Sequence, residues 1–309
     1  METLLSVAFD NLSSYDGPKV KKGLRQVEGL LAQICLSAHA ANKNNNTNNK
    51  SPTTPPAPFD GSKQQPATPA PSRFPLSDLS GDAAFREFFK LQDGFQWNIA
   101  TRLIQTLDRL LAKSDDGSMD LLMLTALDSL QGVLLLHPPS RLLFSREQSM
   151  NLLLDLLEPV NCPAIQAATL LVLVVALLET PRNTRTFENL DGLLTVSSIF
   201  KSRSTARDVK FKTMEFLYFY LMPETPSLPR AGSDGSGAAA LLQRSPSKLG
   251  RAFKKRDDGG GANGAGGAAS EDNTLNQQVK QEMLRRHLPN VDELVKDLQQ
   301  YAPFGGAVA

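Results

Sequence analysis

The chain has little of the residues on which chemistry usually depends. Two cysteines, Cys35 and Cys162, among 309 residues cannot build a disulfide framework, and their apolar neighbours fit buried free thiols in a reducing compartment. The three histidines, His39, His137 and His287, lie far apart with no cysteine or carboxylate at metal-ligand spacing. Charge of one sign is missing too. Lysine plus arginine number 33 against 32 acids, a net of +1, so nothing draws the chain to nucleic acid or to a charged membrane surface. The longest apolar run, 164–178, is too short to span a bilayer comfortably. The opening METLLSVAFDNLSS has Glu2 and no basic lead, unlike a secretory signal. No nucleophile elbow, P-loop or glycine-rich kinase loop occurs, and GGGANGAGG near residue 260 follows no strand and reads as linker. Taken together these absences predict an intracellular, cytoplasmic protein that is not an enzyme and has no cofactor, no metal site and no membrane span.

Leucine is what the chain has instead, and it recurs. The run AIQAATLLVLVVALL at 164–178 is apolar on every side, so it is expected to be a central helix enclosed by protein. Phe144, Met150, Leu153, Leu156 and Leu157 lead into it, and Phe187, Leu193, Val196, Ile199 and Phe200 lead in the same order into a helix over about 206–221, an offset of 187 − 144 = 43. One offset earlier, Leu170, Leu173, Leu177 and Leu178 fall on Leu127, Leu130, Leu134 and Leu135, and Pro181 falls on Pro138. Pro223 supplies a third stop. Prolines remove a backbone donor and disfavour helix just before them, so the three mark equivalent helix ends. A repeat of this length predicts an all-α, armadillo/HEAT-like α-solenoid, the alternative being a non-repeating helical bundle.

The repeats are expected over 82–224, with N-terminal helices at 1–40 docking on them. Pro18 suits the first position of a helix whose apolar face carries Val20, Leu24, Val27, Leu30, Leu31, Ile34 and Cys35. Lys19, Lys21, Lys22 and Arg25 read as its solvated face. An Asn/Pro-rich stretch at 41–81 and a Gly/Ser/basic linker at 225–272 lack the apolar content to offset the entropy of ordering, and both are predicted as disordered insertions. Asp82 and Ser118 are candidate helix caps. Phe95, Ile99, Leu103, Leu107, Leu110 and Leu111 share one helical face, and Trp97 reads as a packing anchor. Residues 273–309 hold two short amphipathic helices broken at Pro289, which either cap the last repeat or enter a partner's groove.

Four strings, GLRQVEGLLAQICL, LQDGFQWNIATRLI, ALDSLQGVLLLHPPSRLLF and FKTMEFLYFYLMPE, resemble the fungal cell division control protein 14 family, the component of the septation initiation network (SIN). The resemblance covers about 1–40 and 82–225, and the final NVDELVKDLQQYAPFG extends it. It implies a non-catalytic regulatory or scaffold subunit that binds and supports a germinal-centre-type protein kinase, with other septation network proteins as further partners. It also implies a role in septum formation and placement at the spindle pole body during division. An unrelated phosphatase shares the name, and its His-Cys-x5-Arg signature, which would lower the thiol pKa and hold phosphate, is absent. Cys162 follows Asn161 with Ala168 six positions on, and Cys35 follows Ile34 with Ala41 there. The competing reading is an armadillo-type peptide-binding adaptor or transport receptor.

Partner-binding residues are most visible in the third repeat. Lys201, Arg203, Arg207, Lys210 and Lys212 cluster ahead of FLYFYL. Because five consecutive large apolar residues cannot all face one core, Tyr218 and Phe219 are expected to meet a cap or a partner, with Arg207 and Lys210 gripping acidic groups beside them. In 241–256, LLQRSPSKLGRAFKKR, Ser245 precedes a proline with Lys248 three positions on, a candidate phosphorylation site.

Overall fold

Proline and capping side chains decide where several of the helices begin. In the computed structural model, which describes residues 1–47, 79, 81–113, 117–224 and 274–301, the helices are α1 (Glu2–Leu12), α2 (Gly17–Thr47), α3 (Ala83–Asp93), α4 (Ile99–Leu111), α5 (Asp120–Leu136), α6 (Glu147–Leu156), α7 (Pro163–Leu177), α8 (Pro181–Asn189), α9 (Gly192–Lys201), α10 (Arg207–Leu221), α11 (Gln277–Arg285) and α12 (Val291–Tyr301). Two 3-10 helices, η1 (Phe95–Trp97) and η2 (Pro138–Ser145), complete the order, and no strand occurs among the described residues. Pro138 and Pro181 both stop one helix and open the next. The residues before them take nearly the same extended turn, His137 at φ −129, ψ 79 and Thr180 at φ −132, ψ 75, as a following proline demands.

The apolar helix α7 lies against α5 on one side and α10 on another, with η2, α6 and α8 also touching it. Ile165, Leu170, Val172, Leu173, Ala176 and Leu177 are all buried there. α5 carries the stack outward to α4 and α2, and α1 packs on α2 and α4. The helix ends at the centre are satisfied by two buried side chains. Arg141 donates to the carbonyls of Leu134 and Leu178 at 3.2 and 3.1 Å, and Asn183 donates to those of Arg141 and Ala176 at 2.7 and 2.6 Å, so the orphan carbonyls closing α5 and α7 have donors. Burial pulls the Arg141 guanidinium below its ordinary value, and Glu179 beside it opposes that shift.

Several expectations need correction. α2 continues to Thr47, beyond the expected start of the insertion at 41, because extending an existing helix is far cheaper than starting one. Leu79, inside the expected insertion, is buried and accepts the Asp82 amide. Ser118 does not cap; Met119 holds the cap position of α5. Phe95 lies in η1 and is exposed, because Asn98 caps α4 through the Thr101 amide. Cys35 is exposed and Cys162 only half-buried; Cys35 sits one step round the helix from the buried stripe of Leu31 and Ile34. Asp82 does cap α3, at 2.7 Å from the Ala84 amide, and Trp97 stacks on Phe9. The rest of both insertions, Ser245 included, lies outside the described residues.

Gly192 is where α8 and α9 close most tightly. A Cβ there would stand 2.2 Å from the Phe187 ring, which is fully buried and meets Phe216 edge-on at 5.5 Å. Gly192→Ala is expected to cost about 1–3 kcal/mol through overpacking, whereas Gly29→Ala, in the interior of α2 with nothing within 4 Å, should stabilise by about 0.5–1 kcal/mol, both read by urea unfolding.

Candidate functional site

The end of α10 resolves its crowded aromatics onto two faces. Phe216, Leu217, Tyr220 and Leu221 are buried, leaving Tyr218 and Phe219 half-buried. With Leu171 and Val174 of α7 they line a cavity of about 780 Å³ that runs from the α7–α8 turn to Met222 and Pro223. Its rim carries Glu179, Glu215 and Lys212, whose side chains are 65, 53 and 37% exposed. Lys212 pairs with Glu215 at 2.8 Å and Glu179 with buried Arg141 at 3.4 Å. Glu179 has φ +53, a left-handed conformation that is uncommon outside glycine and that concentrates at binding sites.

Of the four residues expected to meet a partner, two come together here. Tyr218 and Phe219 line the groove; Arg207 and Lys210 do not. Arg207 and Tyr218 lie eleven positions apart, roughly 16 Å along a helix, and Arg207 stacks instead on exposed Phe211, 5.3 Å from its centroid. Lys201, from the same basic cluster, donates to the His287 carbonyl.

The groove's far wall is Lys280 of α11, a residue the sequence did not single out. Its side chain is 4% exposed, enclosed because α11 and α12 fold back on α10. The ammonium donates to the Met222 carbonyl at 3.0 Å, lies 3.4 Å from Glu224 and sits over the Tyr220 ring at 4.7 Å. Glu224 also accepts from Arg185 at 2.6 Å and from the Leu275 amide at 2.9 Å. Arg185 reaches Glu188 at 3.1 Å, and Tyr220 donates to Glu188 at 2.7 Å. Two cations thus face two carboxylates. Burial pulls Lys280 down, against the opposing pull of Glu224, and pushes Glu188 up, against its bonds to Tyr220 and Arg185. Tyr220 is raised by burial and then by the Glu188 charge. A faint signal existed in Glu224, a lone acid just past the helix stop, but Lys280 in QQVKQEM looks like any solvated lysine.

A second polar cluster joins α3, α4 and η2. The His137 ring stands 2.8 Å from Ser140 Oγ through Nδ1 and 3.2 Å from Asp93 through Nε2. The order Ser-His-Asp invites a catalytic reading. However, Ser140 is 3% exposed and its hydroxyl also accepts from Asn98 at 2.9 Å, while Asn98 donates to the Gln92 carbonyl and Gln92 receives the Ile99 amide. Ser140 and His137 are thereby tied into the junction of α3, α4 and η2, which makes the trio a clamp between these elements.

Among the described residues no group of three or more potential metal ligands occurs and no single helix is long and apolar enough to cross a membrane. The family model described as cell division control protein 14, SIN component, matches residues 1–304. The cell division control protein 14 of Schizosaccharomyces pombe is 26% identical over 314 residues, an alignment spanning 99% of this chain and 97% of that one. No solved structure matches.

Lys280→Met leaves Arg185 alone between two buried carboxylates and is expected to cost about 3–5 kcal/mol of docking energy. Amide exchange should rise across 277–301 while α5 and α7 stay protected, and adding Glu224→Gln should recover part of the loss. Alkaline pH tests Tyr220. Its folded pKa lies above the ordinary 10.0, so above pH 10 the unfolded chain has lost a proton that the folded chain keeps, and stability falls as pH rises. Lys280, lowered from 10.5, acts with the opposite sign only up to that value. Above pH 10.5 this tyrosine lowers stability as pH rises, and Tyr220→Phe should flatten the slope of stability against pH measured by urea unfolding.

Proposed function

Because the chain belongs to the cell division control protein 14 family of SIN components, we propose that it serves septation as a non-catalytic subunit that binds and supports a germinal-centre-type protein kinase. In this reading the helix groups form an armadillo-like stack, and the complex works in the cytoplasm and at the spindle pole body during division. Binding holds the kinase in an active or correctly placed conformation and contributes no reacting group.

The observation that carries the reading is the apolar groove beside Tyr218 and Phe219, a cavity of about 780 Å³ walled by α7, α10 and the folded-back α11. Interface energy concentrates where aromatic and aliphatic anchors fill such pockets. A kinase segment with two or three apolar side chains would find walls already built by the core, at little reorganisation cost.

The test is affinity purification of the tagged chain from mitotic cells, with stoichiometry by mass spectrometry and a kinase assay on the eluate. A stoichiometric kinase of this class is expected, whose activity falls when the chain is stripped away. Leu171→Asp with Tyr218→Ala should lower recovery at least about tenfold, the size of one or two lost anchors, while Arg207→Ala with Lys210→Ala should not. An eluate without a kinase, or groove variants that recover it fully, would refute the proposal.

A further inference from the structure

Glu224 closes a large loop at the edge of the groove. The chain leaves the described core after Glu224, and its return is held by the same carboxylate, which accepts the Leu275 amide at 2.9 Å. Glu224 belongs to the groove wall and the Leu275 amide is bonded to it, so the 49 residues of 225–273 start and finish at the groove's rim. Within that stretch stands LLQRSPSKLGRAFKKR at 241–256. It combines Leu241, Leu242, Leu249 and Phe253 with six basic residues. The groove offers the complement: an apolar floor, and two exposed carboxylates, Glu179 and Glu215, against the single exposed cation Lys212. Sixteen residues, 225–240, separate Glu224 from Leu241 and can reach roughly 50 Å when extended.

We propose that 241–256 docks intramolecularly in the α7–α10 groove, with its apolar side chains on Leu171, Val174 and Phe219 and its cations at Glu179 and Glu215. The chain is thereby its own competitor for the site. A tether of this kind supplies an effective concentration on the order of 1 mM, so a dissociation constant near 100 µM would leave about one groove in ten open. An incoming ligand then binds about tenfold more weakly than to an empty groove. The consequence for the kinase rests on the reading given above; self-docking stands on the groove and the loop ends alone.

The experiment uses the full chain and a full chain in which 239–256 is replaced by Gly/Ser residues of equal number. A fluorescent peptide of residues 239–256 is titrated into each, followed by anisotropy. The replaced chain should bind it with a dissociation constant at or below about 100 µM, and the intact chain about tenfold more weakly. Glu215→Lys in the replaced chain should weaken binding about fivefold, the scale of an exposed charge pair reversed. Equal binding to both chains, no binding to the replaced chain, or indifference to Glu215→Lys would overturn the proposal. So would an intact chain that self-associates through this segment, since the host would then be a second copy. In a parallel arm the kinase should bind the replaced chain about tenfold more tightly than the intact one. A kinase that binds neither chain would sink the functional reading and leave the peptide titration to decide self-docking.

Discussion

Helix α7 has no polar face, and the arrangement around it follows from keeping it out of water. Burying apolar surface is the main favourable term in folding, and a helix apolar all round needs cover on every side. α5, α10, η2, α6 and α8 supply that cover, and each then presents its own outer face to the next element. The cost falls at the ends of the buried helices, where carbonyls are cut off from solvent. Arg141 and Asn183 meet that cost from the two turns that follow prolines, so the stops that delimit the helices also bring the donors that let them be buried.

Two buried networks, one carrying a histidine and one carrying charge, sit at junctions. The Asp93–His137–Ser140–Asn98 network sits where α3 and α4 meet η2, and the Arg185–Glu188–Glu224–Lys280 cluster sits where the returning C-terminus meets α10. Breaking a buried ion pair costs far more than the pair contributes over an apolar replacement, so such clusters specify register more than they add stability. The second one fixes how α11 lies on α10, and with it the wall and width of the groove.

The helical text was legible because apolar periodicity and proline position are local signals. The run at 164–178 and the helix near 206–221 match α7 and α10 to within a residue, and Asp82 caps where its position suggested. The helical period alone sets Tyr218 and Phe219 apart from their neighbours. The ion cluster was not legible, because Arg185 and Lys280 lie 95 positions apart and a charged residue reads as solvated unless its partners are known. For the same reason Arg207 and Lys210 were joined to Tyr218 by closeness in sequence, whereas a helix carries residues eleven apart to opposite ends. The choice between a folded-back and a free C-terminus turned on Lys280 and Glu224, which only the tertiary structure brings together.

The pinning of both ends of 225–273 at one carboxylate has a consequence for how this chain can vary. Where two strands of chain leave a fold side by side, the length between them is almost free: each doubling of such a loop costs only about 0.6 kcal/mol in closure entropy. The interval after Glu224 can therefore gain or lose tens of residues, or accept a whole folded domain with neighbouring termini, without disturbing the helices on either side. It is a natural port of insertion.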